Sequence, residues 1–109
     1  MKNISPHTLK KLYDYLEDCH LCPHNCQVKR TQGQTGICQT LNQPYISTAT
    51  LHFGEERPLV ARQGSGTIFF SGCNLECVYC QNYDISQHNV GQSISVEKLA
   101  QTMLELQGQ

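Results

Sequence analysis

The chain has 109 residues, 8 basic and 9 acidic side chains, and a formal net charge of −1 at pH 7. This length suits one modest domain or part of one, in which a bound metal adds stability that a small core does not supply. The balanced charge, with no basic block and no acidic tail, excludes an electrostatic basis for binding nucleic acid or a membrane surface.

The amino-terminal sequence and the cysteine content predict a cytoplasmic location. No run approaches the roughly 20 apolar residues of a membrane-spanning helix. Residues 1–19 have neither the apolar segment nor the cleavage site of a signal peptide. In the reducing cytoplasm, seven cysteines in tight groups are expected to bind metal rather than to form disulfides.

The first predicted element is an amphipathic helix over residues 6–18. Ser5 and Pro6 are typical of a helix start, because serine caps the first turn and proline suits its first position. Four apolar residues then recur at helical spacing: Leu9, Leu12, Tyr13 and Leu16. The helix is expected to end where the cysteines begin.

Residues 19–38 contain what we name the first cysteine group: Cys19, Cys22, Cys26 and Cys38. The surrounding glycine, proline, asparagine and threonine residues are typical of a loop organised by metal. Four thiolates complete either a zinc tetrahedron or a second iron–sulfur cluster, with a structural or an electron-relay role. His20 and His24 could replace a thiolate in a zinc site. Zinc, a second cluster and unliganded cysteines all remain open alternatives.

The second half of the chain reads as strands, a cysteine loop and a helix. Residues 45–53 are β-branched and aromatic and predict a strand. The apolar run 67–70 predicts a strand buried on both faces, as in a parallel sheet. Ser95 is expected to cap a helix that ends near Gly108. A strand, a ligand loop and a helix form a βα unit, and parallel α/β folds place their chemistry at the carboxyl ends of strands.

The loop after the apolar run carries the second cysteine group, which consists of Cys73, Cys77 and Cys80. Four cysteines usually hold a cubane 4Fe-4S cluster, so three would leave one iron open to a ligand. An open coordination position distinguishes a catalytic metal site from a structural one. The alternatives are a zinc site, with His88 as the nearby fourth ligand, and buried free thiols.

This CxxxCxxC pattern, preceded by GSGTIFFSGCNLEC and followed by Gln81 and Asn82, resembles the signature of the radical S-adenosylmethionine superfamily. Within it, the sequence is similar to the branch related to pyruvate formate-lyase activating enzymes. The segments LHFGEE at 51–56, QNYDISQ at 81–87 and CHLCPHNC at 19–26 resemble an activating-enzyme-like subgroup with a cysteine-rich amino-terminal region. The resemblance extends over residues 19–107.

The resemblance implies a 4Fe-4S cluster on the second cysteine group, whose open iron chelates the amino and carboxylate groups of S-adenosylmethionine. One electron from the cluster would break the sulfonium to methionine and a 5'-deoxyadenosyl radical, which abstracts hydrogen from a substrate. It also implies a protein substrate and a flavodoxin or ferredoxin electron donor. Tyr79 would pack near the adenine, with an ordinary core aromatic as the alternative. Gln81 and Asn82 would be polar groups beside the cofactor.

The implied fold is α/β, with an amino-terminal helix and a cysteine-rich metal knuckle before the first βα unit of a partial radical S-adenosylmethionine (βα) barrel. Residues 1–62 would form the helix, metal-binding region and strand, and residues 63–109 the incomplete start of the barrel. The chain is therefore expected to be an amino-terminal fragment, inactive alone, in which strand 67–70 has no partner. The alternative function is a non-catalytic zinc- or cluster-binding module.

Overall fold

A computed structural model describes residues 3–53 and 64–108. The elements in chain order are helix α1 (Pro6–Asp14), a 3-10 turn (Arg30–Gln32), strand β1 (Tyr45–His52), strand β2 (Ser65–Phe70), helix α2 (Tyr83–Ser86), strand β3 (Gln92–Ser93) and helix α3 (Val96–Gln107). The strands form one sheet in the order β2-β1-β3. No helix within these two ranges is long and apolar enough to cross a membrane.

Helix α1 begins as predicted and ends four residues early. The Ser5 hydroxyl accepts a hydrogen bond from the Thr8 amide at 3.2 Å, and Pro6 occupies the first turn. The chain then tightens into i to i+3 turns, in which the Leu16 and Glu17 amides donate to the Tyr13 and Asp14 carbonyls at 2.9 and 3.1 Å. Beyond them the Leu16 carbonyl accepts from the Arg30 amide at 2.8 Å, which joins this segment to the cysteine-rich loop.

Strand β1 confirms the strand predicted at 45–53, and strand β2 confirms the strand at 67–70 with two further residues. The predicted environment of β2 was wrong within the described sheet. Strand β2 pairs antiparallel with β1, and Phe70 is 49% exposed. An apolar run of this length indicates a strand but not its direction or its partner, which explains the error. The barrel requires further strands and stays a prediction.

Helix α3 confirms the helix predicted from Ser95, whose hydroxyl accepts from the Lys98 amide at 3.1 Å. It packs on the sheet at Gly66, where an added Cβ would lie 3.2 Å from that of Leu106. A cavity of about 370 Å³ lies between β2 and α3, lined by Gly66, Ile68, Phe70, Met103, Leu106 and Gln107. The predicted boundary at residues 62 and 63 lies outside the described residues, although β1 and β2 pair across it.

The cysteine loop leaves the sheet at the carboxyl end of β2 and is fixed there by Ser71. Ser71 is 2% exposed, its amide donates to the Tyr45 carbonyl at 2.8 Å, and its hydroxyl donates to the Val90 carbonyl at 2.5 Å. The Gly72 amide donates to the Ile85 carbonyl at 2.8 Å. These bonds join the two ends of the loop and hold the second cysteine group at the edge of the sheet.

Candidate metal centres

The second cysteine group lies on a turn whose three thiols are all half-buried. The Cys80 amide donates to the Cys77 carbonyl at 3.2 Å, and the Gln87 side-chain amide donates to the same carbonyl at 3.0 Å. The Leu75 amide donates to the Cys73 sulfur at 3.4 Å, and the Ser86 hydroxyl lies 3.2 Å from the Cys80 sulfur. Hydrogen bonds to cysteine sulfur are among the interactions that tune iron–sulfur clusters.

The tip of this loop projects into solvent. Val78 is 96% exposed, Tyr79 84% and Leu75 74%. Gln81 and Asn82 are exposed as well. Tyr79 is therefore not the core aromatic of the alternative interpretation, and its ring is free to contact a ligand on the loop. Contact of Tyr79, Gln81 and Asn82 with a cofactor stays a prediction.

The first cysteine group forms a compact knuckle. The Cys19 amide donates to the Val28 carbonyl at 3.3 Å, and the Gln27 amide donates to the Cys19 carbonyl at 3.0 Å. Asn25 and Gln27 adopt left-handed φ angles of 53° and 55°, which turn the chain sharply between the cysteines. Such backbone strain clusters at ligand sites, where the surrounding structure maintains it.

Arg30 lies at the centre of this knuckle and is only 4% exposed. Its guanidinium donates to the Cys19 sulfur at 3.3 Å and to the Cys26 sulfur at 3.6 Å. It also donates to the carbonyl and, at 3.3 Å, to the hydroxyl of Thr40. Among the residues that the structure describes, its hydrogen-bond partners are sulfur and neutral oxygen atoms. The Thr40 oxygens and the sulfurs of Cys19 and Cys26 accept its hydrogen bonds, which offsets part of the cost of burying this cation.

Two thiols near Arg30, those of Cys19 and Cys38, have a pKa below the ordinary cysteine value. Burial is the largest influence on Cys19 and favours the neutral thiol, but the Leu21 backbone and the Arg30 guanidinium outweigh it and lower the pKa of Cys19. At Cys38 burial again opposes ionisation, while the hydroxyl and backbone of Thr40, followed by Arg30, lower its pKa. Thiolate is the form of cysteine that binds metal.

The lowered pKa of Cys38 predicts a pH-dependent stability of the metal-free, reduced chain. A thiol that is more acidic when folded stabilises the fold above its unfolded pKa, and this contribution is lost as the pH falls through the folded pKa. The urea midpoint should therefore rise between pH 7 and pH 9 by more in the native chain than in Cys38→Ser. Equal rises in both chains would contradict the Cys38 assignment.

One cleft of about 510 Å³ joins the two cysteine groups. Its walls include three first-group cysteines, Arg30 and Thr40 on one side and Gly72, Cys73 and Asn74 on the other. His24 contacts the Asn74 carbonyl oxygen at 2.6 Å through its Nε2 atom. A Cβ added at Gly72 would collide with the Cys38 carbonyl. The knuckle is thus packed directly against the beginning of the second cysteine loop.

The histidines near the two cysteine groups make contacts with other residues. Within 3–53 and 64–108, no three His, Cys, Asp or Glu side chains are arranged to hold one metal ion. In a cubane each thiolate binds a separate iron, so its cysteines need not converge on a point. His88 packs edge-on against Tyr83, with ring centroids 4.6 Å apart, instead of joining the second cysteine group. His20 contacts Asn25 and Asp18, which raise its pKa.

Comparison with known proteins finds a family model that is similar to the second half of the chain. Residues 61–109 match a family described as the 4Fe-4S single cluster domain. The match supports an iron–sulfur binding module at this end of the chain, where the second cysteine group lies. The first cysteine group falls outside the matched residues. No solved structure matches the chain.

Two curated proteins of Methanocaldococcus jannaschii are similar to this chain. Uncharacterized protein MJ0674 is 52% identical over 71 residues, which cover 65% of this chain and 20% of that protein. Uncharacterized protein MJ0808 is 30% identical over 93 residues, which cover 72% of this chain and 27% of that protein. The chain therefore spans about a fifth to a quarter of the length of the curated relatives it matches.

Two residues of the site were not predicted from the sequence. Arg30 stands in a polar loop beside Lys29, where a cation is normally solvated, so nothing in the sequence marks it as buried. His24 was considered only as a zinc ligand, whereas it contacts Asn74, 50 residues further along the chain. The usable signal was the position of both residues between cysteines of one group.

Proposed function

We propose that this chain carries the cluster-binding start of a radical S-adenosylmethionine enzyme of the pyruvate formate-lyase activating-enzyme-like branch. The observation that carries the proposal is a loop with three half-buried cysteines, Cys73, Cys77 and Cys80, at the carboxyl end of β2. The match to a 4Fe-4S single cluster domain supports the cluster, and the CxxxCxxC spacing supports the cofactor. A cytoplasmic location belongs to the same proposal.

The second cysteine group would hold the cluster by its three sulfurs. The Leu75 amide and the Ser86 hydroxyl are placed to donate hydrogen bonds to ligand sulfurs, which reduces the negative charge gathered there. When bound, the reduced cluster supplies one electron to the sulfonium of S-adenosylmethionine, whose carbon–sulfur bond breaks to give methionine and a 5'-deoxyadenosyl radical. The exposed face of Tyr79 offers a stacking surface for the adenine.

A non-catalytic cluster-binding module is the second candidate. It fits the family match equally well, because the matched description names a cluster and no reaction. The two candidates differ in the open iron, which only the radical enzyme requires. A substrate, which we propose to be a protein glycine or another unactivated carbon–hydrogen bond, and a flavodoxin or ferredoxin donor belong to the radical enzyme alone.

The deciding experiment is anaerobic reconstitution with iron and sulfide, followed by electron paramagnetic resonance of the reduced chain with and without S-adenosylmethionine. We expect a cluster of about four irons on the second cysteine group, with a spectrum that changes on adding the cofactor. Cys77→Ala should remove this response. A cluster that is lost in Cys77→Ala but never responds to S-adenosylmethionine would overturn the radical assignment. The cluster-binding module would then be the remaining candidate.

Tyr79→Ala should weaken binding of S-adenosylmethionine to the reconstituted chain about tenfold, because one aromatic contact is worth roughly 1.4 kcal/mol or slightly less. Tyr79→Phe keeps the ring and should bind like the native chain. Titration of the spectral change with the cofactor measures both. Since Tyr79 is 84% exposed, neither variant should alter folding. Equal affinity of Tyr79→Ala and the native chain would exclude adenine stacking on this ring.

A further inference from the structure

The first cysteine group lies outside the matched cluster domain, yet it has the features of a second ligand site. A charged side chain, Arg30, is almost completely buried, and its hydrogen-bond partners include the sulfurs of Cys19 and Cys26. Cys19 is itself only 2% exposed. The guanidinium thus places hydrogen-bond donors directly beside two of the four sulfurs.

The shape of the site favours a cluster over zinc. Zinc requires four ligands at about 2.0–2.3 Å from a single point. Here the sulfurs of Cys19 and Cys26 instead lie around a guanidinium nitrogen, and beside them opens a cleft of about 510 Å³. Cys19, Cys22 and Cys38 line this cleft together with Arg30, and sulfurs spread around a cavity with a hydrogen-bond donor among them suit a group that binds each sulfur at a different iron.

We propose that Cys19, Cys22, Cys26 and Cys38 bind a second iron–sulfur cluster, that Arg30 is its charge-balancing hydrogen-bond donor, and that it faces the second cysteine group across the shared cleft. Gly36 supports the arrangement, because a Cβ there would lie 2.9 Å from the Cys26 sulfur. The support for this cluster comes from the residues of the first cysteine group alone. Only its position beside a cluster on the second cysteine group depends on the proposed function.

The test compares the iron and sulfide content of three reconstituted chains: native, Cys77→Ala and Cys38→Ser. We expect about eight irons in the native chain and about four in each variant, because each substitution removes one cluster. In the native chain the two reduced clusters should also broaden each other's paramagnetic resonance. This broadening should be absent from both variants, in which a single cluster remains.

The other outcomes separate this inference from the proposed function. About four irons in the native chain and in Cys38→Ser, with none in Cys77→Ala, would overturn the cluster on the first cysteine group. The cluster on the second cysteine group would then stand. One zinc bound per native chain and lost in Cys38→Ser would overturn it in favour of a zinc knuckle. About four irons in the native chain, lost in both variants, would mean one cluster shared by the two groups, which overturns the inference as well.

The role of Arg30 is tested in the Cys77→Ala variant, where only the cluster on the first cysteine group remains. Arg30→Lys keeps the charge and so preserves folding, but a lysine ammonium cannot reach two sulfurs and Thr40 in the fork geometry of a guanidinium. We expect a more negative reduction potential at unchanged iron content, because hydrogen bonds to sulfur stabilise the reduced state. Lys29→Gln removes an exposed neighbouring cation as the control. Equal potentials in Arg30→Lys and the control would exclude Arg30 as the donor.

Discussion

Replacing Gly72 by alanine should lower the free energy of unfolding by about 3 kcal/mol, a large part of the stability of a small domain. Gly72 has a φ of 88°, a left-handed conformation that costs an L side chain about 1–2 kcal/mol. Its Cβ would also collide with the Cys38 carbonyl and lie 2.8 Å from the Thr40 methyl. The substitution therefore separates the knuckle from the second cysteine loop.

Gly33 provides the matched control for this prediction. Its φ is 81°, close to that of Gly72, but a Cβ there would have nothing within 4 Å. Gly33→Ala should cost only the backbone strain, about 1 kcal/mol. Urea unfolding of the reduced chain, followed by circular dichroism, measures both variants. If the two cost the same, the contact between Gly72 and Cys38 contributes nothing to the fold.

Arg30→Met should destabilise the chain by about 1–3 kcal/mol, the usual cost of leaving hydrogen-bond acceptors in the interior without a donor. The substitution roughly preserves the length of the side chain but removes every hydrogen bond that the guanidinium donates. The half-buried Thr40 carbonyl and the sulfurs of Cys19 and Cys26 would lose a donor at the same time. We therefore expect the knuckle to lose its packing first.

The exposed neighbour Lys29 serves as the control, since Lys29→Met removes the same charge from the adjacent position. Its effect should stay within about 0.5 kcal/mol. Urea unfolding of the reduced, metal-free chain compares the two. Arg30→Met as stable as Lys29→Met would show that the guanidinium does not organise the knuckle, and it would remove the main support for a thiolate site there.

The sequence predicted those elements whose limits are decided locally. Ser95 caps α3, and the β-branched run at 45–53 became β1. Local patterns did not give the end of α1, where the chain changes to i to i+3 turns after Asp14. They also did not give the pairing of β2, which is antiparallel to a strand whose direction no apolar run encodes.

In the candidate site, too, local features could be predicted from the sequence and long-range contacts could not. The ligand residues could be named from their spacing, since thiolates at short intervals are a local pattern. The cleft between the two groups could not, because it depends on Gly72 approaching Cys38 and on His24 reaching Asn74. Burial of Arg30 depends in turn on the packing of the whole knuckle. A cation among polar neighbours gives no sign of this in the sequence.

The separation of these contacts along the chain has a consequence for synthesis on the ribosome. Bonds within the knuckle, such as that between Cys19 and Val28, close loops of about ten residues, and all its cysteines have been made by residue 38. The contact between His24 and Asn74 closes a loop of 50 residues and must wait for the second half of the chain. The knuckle can therefore order itself before the other cysteine loop is available to contact it.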